Sequence, residues 1–106
     1  MMSARPVTAA EVADRLRAAG IEVDVVGDPS IAVQGLTHDS REVAPGQMFA
    51  CLRGHSFDGH DYATQTVENG VTALLVDHEL AGVGDAVQLV VDDTRMAVGP
   101  ASAIAW

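Results

Sequence analysis

The chain has 106 residues, of which 48% are hydrophobic and only 4% aromatic, and its formal net charge is −9. A chain of this length forms a single domain, residues 1–106, with a modest aliphatic core, and its negative charge disfavours nucleic acid as a partner. Because all six basic residues are arginines, the chain has no lysine to bind a nucleotide phosphate or to form a Schiff base.

The first third of the chain predicts one helix and two strands. Thr8 and Glu11 have the spacing of a capping box, and the apolar residues that follow recur at helical intervals, which predicts a helix over residues 9–19. Residues 21–26 and 31–36 are rich in β-branched side chains and are separated by a turn that contains glycine and proline. We expect these two strands to pair with each other as a hairpin or strand pair.

The middle of the chain predicts strands that alternate with helices. Residues 48–52 are continuously apolar, which is typical of a central strand covered on both faces. Asp61 has the position of an N-cap for a helix over residues 62–68, and apolar strands over residues 71–76 and 87–91 follow. A helix that connects two strands normally makes them parallel neighbours. The sequence therefore predicts a three-layer α/β/α domain with a mixed, partly parallel sheet.

Two polar segments border the last predicted strand. Residues 79–86 contain two glycines and predict a surface loop. The carboxylates that follow the strand have no nucleophile or oxyanion donor beside them, so we assign them no catalytic role. We expect this carboxylate pair, Asp92 and Asp93, to supply a structural cap for the residues that follow and an ion pair with Arg95.

The final segment, residues 94–106, is rich in alanine but contains Gly99 and Pro100, which interrupt a helical hydrogen-bond ladder. We expect Pro100 to lie in the first turn of a helix that continues from Ala101. Because this helix has barely begun when the sequence stops at Trp106, we expect a domain boundary there.

The remaining compositional signals concern the cell compartment. No apolar run approaches the ~20 residues of a membrane span, and the acidic start lacks a signal-peptide core, so we expect a cytoplasmic protein without a membrane partner. The single cysteine, Cys51, lies in an apolar run without an activating base, which predicts a small buried hydrophobic side chain rather than a nucleophile.

Polar residues concentrate in residues 37–62, where two loops flank the predicted strand of residues 48–52. A turn that contains proline and glycine brings the chain back, so both loops could face one small ligand. The segment contains, in order, Asp39-Ser40-Arg41, Pro45-Gly46, Met48-Phe49-Ala50, Leu52, Gly54 and Asp58-Gly59-His60-Asp61-Tyr62. This series resembles the N-terminal domain of the Mur ligases, which build the peptide of bacterial cell-wall precursors. The MurE type, which adds the third amino acid, is the most similar, and the MurF type, which adds the terminal dipeptide, is the nearest alternative.

The resemblance implies that the domain binds the UDP moiety of UDP-N-acetylmuramoyl-dipeptide. It also implies that the domain packs against a central ATP-binding domain, which this chain lacks. ATP and magnesium are expected for the intact ligase, whereas this chain carries no cofactor, metal ligand or catalytic residue of its own. The alternative is a stand-alone regulatory or assembly module that has kept the fold but not the ligand.

The resemblance assigns uridine binding to Ser40. From the residues alone, Asp39 and Ser40 could instead satisfy backbone donors in a tight turn. Arg41 could bind a diphosphate, but the abundance of carboxylates favours an internal ion pair with Asp39 or Asp58.

The resemblance also assigns nucleotide contacts to His55 and the two residues after it, Ser56 and Phe57, although the family more often has a small polar pair there. Phe57 could pack on the uracil face or fill the core. His38 replaces an apolar residue that often precedes the aspartate in the family, and we include it as a candidate of less certain role.

A metal site is a further alternative, formed by His55, Asp58, His60 and Asp61. The spacing of the two histidines is not a recognised zinc pattern, and the glycine between them disfavours a rigid set of ligands. His60 and Asp61 have a simpler interpretation, because both lie where the next helix begins, and Asp61 is favourable at its positive end. We therefore expect no metal here.

Overall fold

A five-stranded sheet lies between two layers of helices in the computed structural model, which describes residues 7–104. The elements in chain order are β1 Val7–Thr8, α1 Ala9–Ala18, β2 Asp24–Val26, β3 Ala32–Val33, β4 Leu36–Thr37, β5 Met48–Ala50, a 3₁₀ turn Gly59–Tyr62, α2 Ala63–Glu68, β6 Ala73–Val76, β7 Val87–Val90 and α3 Thr94–Ser102. The main sheet has the order β2-β7-β6-β5-β4, and β1 and β3 form a separate antiparallel pair.

The strands β4, β5, β6 and β7 are all parallel, and only β2 runs antiparallel, at the β7 edge. This arrangement confirms the predicted parallel pairing of the strands that flank α2. The strand predicted over residues 48–52 is interior, with β4 and β6 as neighbours, although β6 rather than β5 is the middle strand.

Alternate side chains of the parallel strands pack on opposite faces of the sheet. Met48 and Ala50 of β5 belong to a core that includes α1 and α3, whereas Phe49 and Cys51 belong to a second core that includes Ala63 of α2. A parallel sheet must be covered on both faces. The observed arrangement confirms the predicted three-layer α/β/α class with a mixed sheet.

The first helix begins and ends close to its predicted bounds because local capping signals determine both ends. The Thr8 hydroxyl accepts a hydrogen bond of 3.2 Å from the backbone N–H of Glu11. The helix ends at Ala18, and Gly20 follows it with a φ of 87°, a conformation that favours glycine.

The predicted pairing of residues 21–26 with residues 31–36 is wrong. The first of these strands, β2, pairs with β7, whereas residues 31–36 divide into β3, which pairs with β1, and the start of β4, which pairs with β5. Gly35 separates the two, with a φ of 149°. This conformation, which other residues rarely adopt, redirects the chain from the small sheet into the large one.

The predicted N-cap of the second helix is also wrong. The chain enters a 3₁₀ turn at Gly59 before α2, and Asp58 caps this turn by accepting a hydrogen bond of 3.0 Å from the backbone N–H of His60. Asp61 lies inside the turn and makes no cap. The 3₁₀ turn therefore begins three residues before the predicted start at residue 62, and α2 itself begins one residue after it, at Ala63.

The final helix runs through Gly99 and Pro100, so the predicted interruption is wrong. Asp93 caps α3, as predicted, by accepting from the backbone N–H of Arg95 at 2.9 Å. Proline removes only one backbone donor. Ala97 and Ala101 on the same helix are fully buried against the core, and this packing offsets the loss. Trp106 lies outside the described residues.

The described helices are all too short or too polar to cross a membrane. Residues 79–86 form a loop, as predicted, and the buried Gln88 of β7 holds it through two hydrogen bonds with the backbone of Leu80, at 2.7 and 3.0 Å. Cys51 is fully buried, which confirms its predicted place in the core.

Cys51 provides a test of this core. Burial raises the pKa of Cys51 to about 12, so the reactive thiolate is almost absent at mildly alkaline pH. A thiol reagent should therefore label the native chain far more slowly than the chain in guanidinium chloride, as measured by mass spectrometry. Equal labelling rates would contradict the burial of this side chain.

Candidate functional site

Polar residues follow the carboxyl ends of all four parallel strands. Residues 38–41 follow β4, Arg53 comes shortly after β5, Asp77 follows β6 directly and Asp92 comes shortly after β7. Because parallel strands end at the same edge of a sheet, these residues lie along one edge. Open α/β sheets bind ligands at this edge.

Hydrogen bonds of Asp39 close the turn of residues 38–41. Its carboxylate accepts a hydrogen bond of 2.9 Å from the backbone N–H of Arg41, and its own N–H donates to the Thr37 hydroxyl at 3.2 Å. The Ser40 hydroxyl forms no hydrogen bond with any other residue of the part that the structure describes, residues 7–104. Ser40 therefore does not serve the turn, and its hydroxyl is available to a ligand.

Arg41 forms the internal ion pair that we predicted. Its Nε and Nη2 atoms donate to the two carboxylate oxygens of Asp39, each at 3.0 Å. The hydrogen bond from the Arg41 side chain lowers the pKa of Asp39 below its ordinary value. Nη1 of Arg41 forms no hydrogen bond with another described residue, and the side chain is largely exposed. The guanidinium can therefore still offer both N–H groups of Nη1 to an anion.

A groove of about 460 Å³ lies beside this turn. Its lining residues are His38, Asp39, Ser40, Arg41, Phe49, Phe57, Gly59 and Tyr62. Phe49 belongs to the buried core, whereas Phe57 is 55% exposed and Tyr62 is 40% exposed. Phe57 thus does not fill the core, and two aromatic side chains offer exposed surface to the groove.

Two larger depressions, of about 650 and 630 Å³, lie elsewhere on the chain. The first is lined by four carboxylates and one arginine, and the second by three carboxylates and no basic residue. Such surroundings repel a phosphate group. The groove has a single carboxylate, Asp39, and Arg41 already pairs with it, so the groove is the best candidate for an anionic ligand.

His55 and Ser56 do not line the groove. They form the exposed tip of a hairpin in which Gly59 donates to the Leu52 carbonyl and Gly54 donates to the Phe57 carbonyl, both at 2.7 Å. The structure therefore brings Ser40, His38, Arg41 and Phe57 together and leaves His55 and Ser56 beside them on the hairpin.

Gly54 is required for the position of Phe57. A Cβ atom at residue 54 would lie 2.4 Å from Cε1 of the Phe57 ring. Such a contact forces a shift, and the exposed ring is the part that can move. Glycine therefore permits the ring to lie over the hairpin and line the groove.

An ion-pair network at the base of this hairpin was not predicted. Arg53 donates to both carboxylate oxygens of Asp77, at 2.6 and 3.0 Å, and to Asp58 at 2.9 Å. Asp77 also lies 2.6 Å from Nδ1 of His78. The signal in the sequence is the charged residue that follows each apolar strand, which places Arg53 and Asp77 at one sheet edge.

His60 is buried within this network. Its side chain is 3% exposed, its Nδ1 lies 2.6 Å from Asp58, and its Nε2 accepts a hydrogen bond of 3.1 Å from the backbone N–H of Asp77. The contacts fit a neutral ring with the proton on Nδ1, an assignment made from the hydrogen bonds. His60 therefore joins the hairpin to the end of β6.

The predicted absence of a metal site concerned His55, Asp58, His60 and Asp61. A different trio, His60, Asp77 and His78, has ligand atoms within 4.8 Å of one another. A cation there would have to displace the Arg53 guanidinium from Asp77 and the backbone N–H from His60. We therefore assign no metal to this trio.

The chain is an α/β domain with a polar, partly aromatic groove at the carboxyl edge of its parallel strands, the edge at which open α/β sheets bind ligands. A family model described as "Mur ligase family, catalytic domain" matches residues 32–97. The chain belongs to the Mur ligase family.

Relatives of this chain carry the names of two ligase types. The chain is 39% identical to a UDP-N-acetylmuramoyl-L-alanyl-D-glutamate--2,6-diaminopimelate ligase of Streptomyces coelicolor, over 96% of this chain and 19% of the relative. It is 42% identical to a UDP-N-acetylmuramoyl-tripeptide--D-alanyl-D-alanine ligase of Escherichia coli, over 69% of this chain and 16% of the relative. The chain thus spans less than a fifth of the length of these relatives.

A solved structure of MurF from Acinetobacter baumannii has the same fold. It superposes with a TM-score of 0.74 and 29% identity, over 92% of this chain and 20% of that one.

The ion pairs of Asp77 predict a pH-dependent stability. Hydrogen bonds from the Arg53 side chain hold the pKa of Asp77 well below its usual range. A lowered folded-state pKa stabilises the fold above the unfolded pKa, near 4, and this contribution is lost as the pH falls toward the folded value. We expect Asp77→Asn to lower the free energy of unfolding by about 1 kcal/mol at neutral pH.

Urea denaturation at several pH values measures this effect. The difference in the free energy of unfolding between Asp77→Asn and the native chain should shrink as the pH falls from about 5 to about 2. These limits follow from the ordinary carboxyl pKa. Asp14→Asn is the matched control, because Asp14 pairs with an arginine on the exposed face of α1. A difference for Asp77→Asn that stayed constant with pH would contradict the assigned role.

Proposed function

We propose that this chain binds the UDP moiety of a UDP-N-acetylmuramoyl peptide, as the N-terminal domain of a ligase that extends the peptide. The observation that carries the proposal is the groove, where the unengaged Ser40 hydroxyl and the exposed Phe57 ring flank the carboxyl edge of the sheet. Relatives named for ligases of UDP-N-acetylmuramoyl peptides support the choice of ligand.

Each part of the groove suits a different part of a uridine nucleotide. The Ser40 hydroxyl can donate to or accept from a polar group of the uridine. Phe57 and Tyr62 offer ring faces on which a base can stack. The free Nη1 donor of Arg41, with His38 beside it, can hydrogen bond to the diphosphate. His55 and Ser56 on the hairpin contact the part of the ligand that extends beyond the groove.

The remaining steps of the ligase reaction require groups from outside this chain. In the proposed enzyme, which would also hold magnesium, the substrate carboxylate would accept the terminal phosphate of ATP with release of ADP, and an amino acid amine would then displace that phosphate to form the amide. The absence of lysine excludes a phosphate-loop lysine within these 106 residues. Binding of the UDP end here would orient the reacting carboxylate in an adjoining ATP-binding domain, in the cytoplasm.

We favour the MurE type over the MurF type for the intact ligase. One relative with the diaminopimelate ligase name matches 96% of this chain, whereas two with the D-alanyl-D-alanine ligase name match 74% and 69%. Both names share the UDP-N-acetylmuramoyl part, so the proposed role of the groove is the same for either.

Ser40→Ala tests the polar half of the groove. Removal of the hydroxyl should weaken UDP binding by one hydrogen bond, about 0.5–1.5 kcal/mol. Isothermal titration calorimetry with UDP measures the effect. Ser102→Ala, on the exposed side of α3, is the control and should leave the affinity unchanged. If Ser40→Ala binds UDP as tightly as the native chain, Ser40 has no role in binding.

Phe57→Ala tests the aromatic half. Loss of the ring should weaken UDP binding by about 1–3 kcal/mol, the range for stacking of a base on an aromatic side chain. The ring is half-exposed, so the free energy of unfolding should change by less than about 0.5 kcal/mol. Phe57→Tyr retains the ring face and is the matched control. A Phe57→Ala chain that is equally stable and binds UDP normally would exclude stacking on Phe57.

A further inference from the structure

Arg53 lies at the base of the hairpin that carries Phe57 and makes ion pairs there with Asp58 and Asp77. We propose that Arg53 is a positioning residue that holds this hairpin, and with it the Phe57 ring, against the groove. The effect of Arg53 on ligand binding rests on the function proposed above, whereas its effect on the hairpin does not depend on that function.

The Arg53 side chain joins the two arms of the hairpin to the sheet. Arg53 and Asp58 face each other as an antiparallel bridge, and Nη1 of Arg53 donates to Asp58 at 2.9 Å. Nε and Nη2, along another edge of the guanidinium, donate to the two carboxylate oxygens of Asp77 at the end of β6. A planar guanidinium can hold two carboxylates in fixed directions at once, which a lysine ammonium cannot do as well.

The backbone of Arg53 is held from a third direction. Nε and Nη2 of Arg95, at the start of α3, donate to the Arg53 carbonyl oxygen at 3.1 and 2.8 Å. This contact replaces the ion pair that we expected between Arg95 and Asp92 or Asp93. Arg53 is therefore tied to β6 through its side chain and to α3 through its carbonyl group.

The position of the Phe57 ring depends on the geometry of this hairpin. Gly54 follows Arg53, and Phe57 precedes Asp58, so the hydrogen bond from Gly54 N–H to the Phe57 carbonyl is the next rung beyond the Arg53–Asp58 bridge. The ring lies over Gly54 with no room for a Cβ atom. Loosening of the Arg53–Asp58 bridge would therefore release the adjoining rung and the ring together.

All three side-chain nitrogens of Arg53 are engaged within the protein, because Nε, Nη1 and Nη2 each donate to a carboxylate of Asp58 or Asp77. Arg53 is also not among the residues that line the groove. Any influence of Arg53 on the groove must therefore pass through the hairpin.

The first experiment needs no ligand. Hydrogen exchange of the Gly54 amide, followed by NMR, reports the opening of the hairpin. Arg53→Gln should accelerate this exchange about 3- to 10-fold, because ion pairs of partly exposed groups are lost. Arg17→Gln is the matched control, with the same change in net charge. Arg17 also pairs with a carboxylate and donates to a backbone carbonyl, but on α1, away from the hairpin.

The second experiment measures UDP affinity in a double-mutant cycle of Arg53→Gln and Phe57→Ala. If Arg53 acts through the ring, Arg53→Gln should weaken binding several-fold in the native background and have almost no further effect in the Phe57→Ala background. Gly54→Ala, which displaces the ring while retaining Arg53, should reproduce the loss. If Arg53→Gln does not fold, Arg53→Lys replaces it, with a smaller effect in the same direction.

The outcomes separate the two proposals. Unchanged Gly54 exchange in Arg53→Gln would overturn the positioning role, and so would a loss of affinity that persists in full without the Phe57 ring. Faster exchange without any UDP binding by the native chain would support the role of Arg53 in the hairpin and contradict the proposed function.

Discussion

Four parallel strands, of which β5, β6 and β7 are buried, determine where the charged groups of the candidate site lie. Apart from Gln88, the buried strands are apolar along their length, so the first charged residues occur where the strands end, and parallel strands end together. The turn of residues 38–41, the hairpin of residues 53–58 and Asp77 are neighbours for this reason. The residues that form the site are far apart in sequence, and the shared direction of the strands brings them together.

Charged residues are concentrated at this edge of the sheet, and the ion pairs among them determine which side chains remain available to a ligand. Arg41 neutralises Asp39, whereas the single charge of Arg53 is shared between Asp58 and Asp77. These pairs are partly exposed, and each adds about 1 kcal/mol or less to the stability. Their main effect is geometric, since they hold the turn and the hairpin on either side of a groove in which Ser40, Phe57 and Tyr62 have free polar or aromatic surface.

Local signals in the sequence predicted the elements that depend on neighbouring residues. The Thr8 cap placed α1, and apolar runs placed β5, β6 and β7. The partner of β2 could not be predicted in this way, because it pairs with β7, more than 60 residues later along the chain. The Arg53–Asp77 pair spans 24 residues and the Arg95–Arg53 contact spans 42, so neither had a local signal. The resemblance predicted Ser40 and Phe57 as binding residues, whereas it gave no binding role to Tyr62, which belongs to the motif and to the predicted helix.

The central claim is that the groove between the turn and the hairpin binds a uridine diphosphate. An amide chemical-shift titration with UDP, and with CMP as a control, tests it most directly. We expect saturable shifts with UDP that are centred on residues 38–41, Phe57 and Tyr62, and almost no shifts with CMP. Absence of shifts at millimolar UDP, or shifts centred on the acidic depression between β2 and β7, would contradict it.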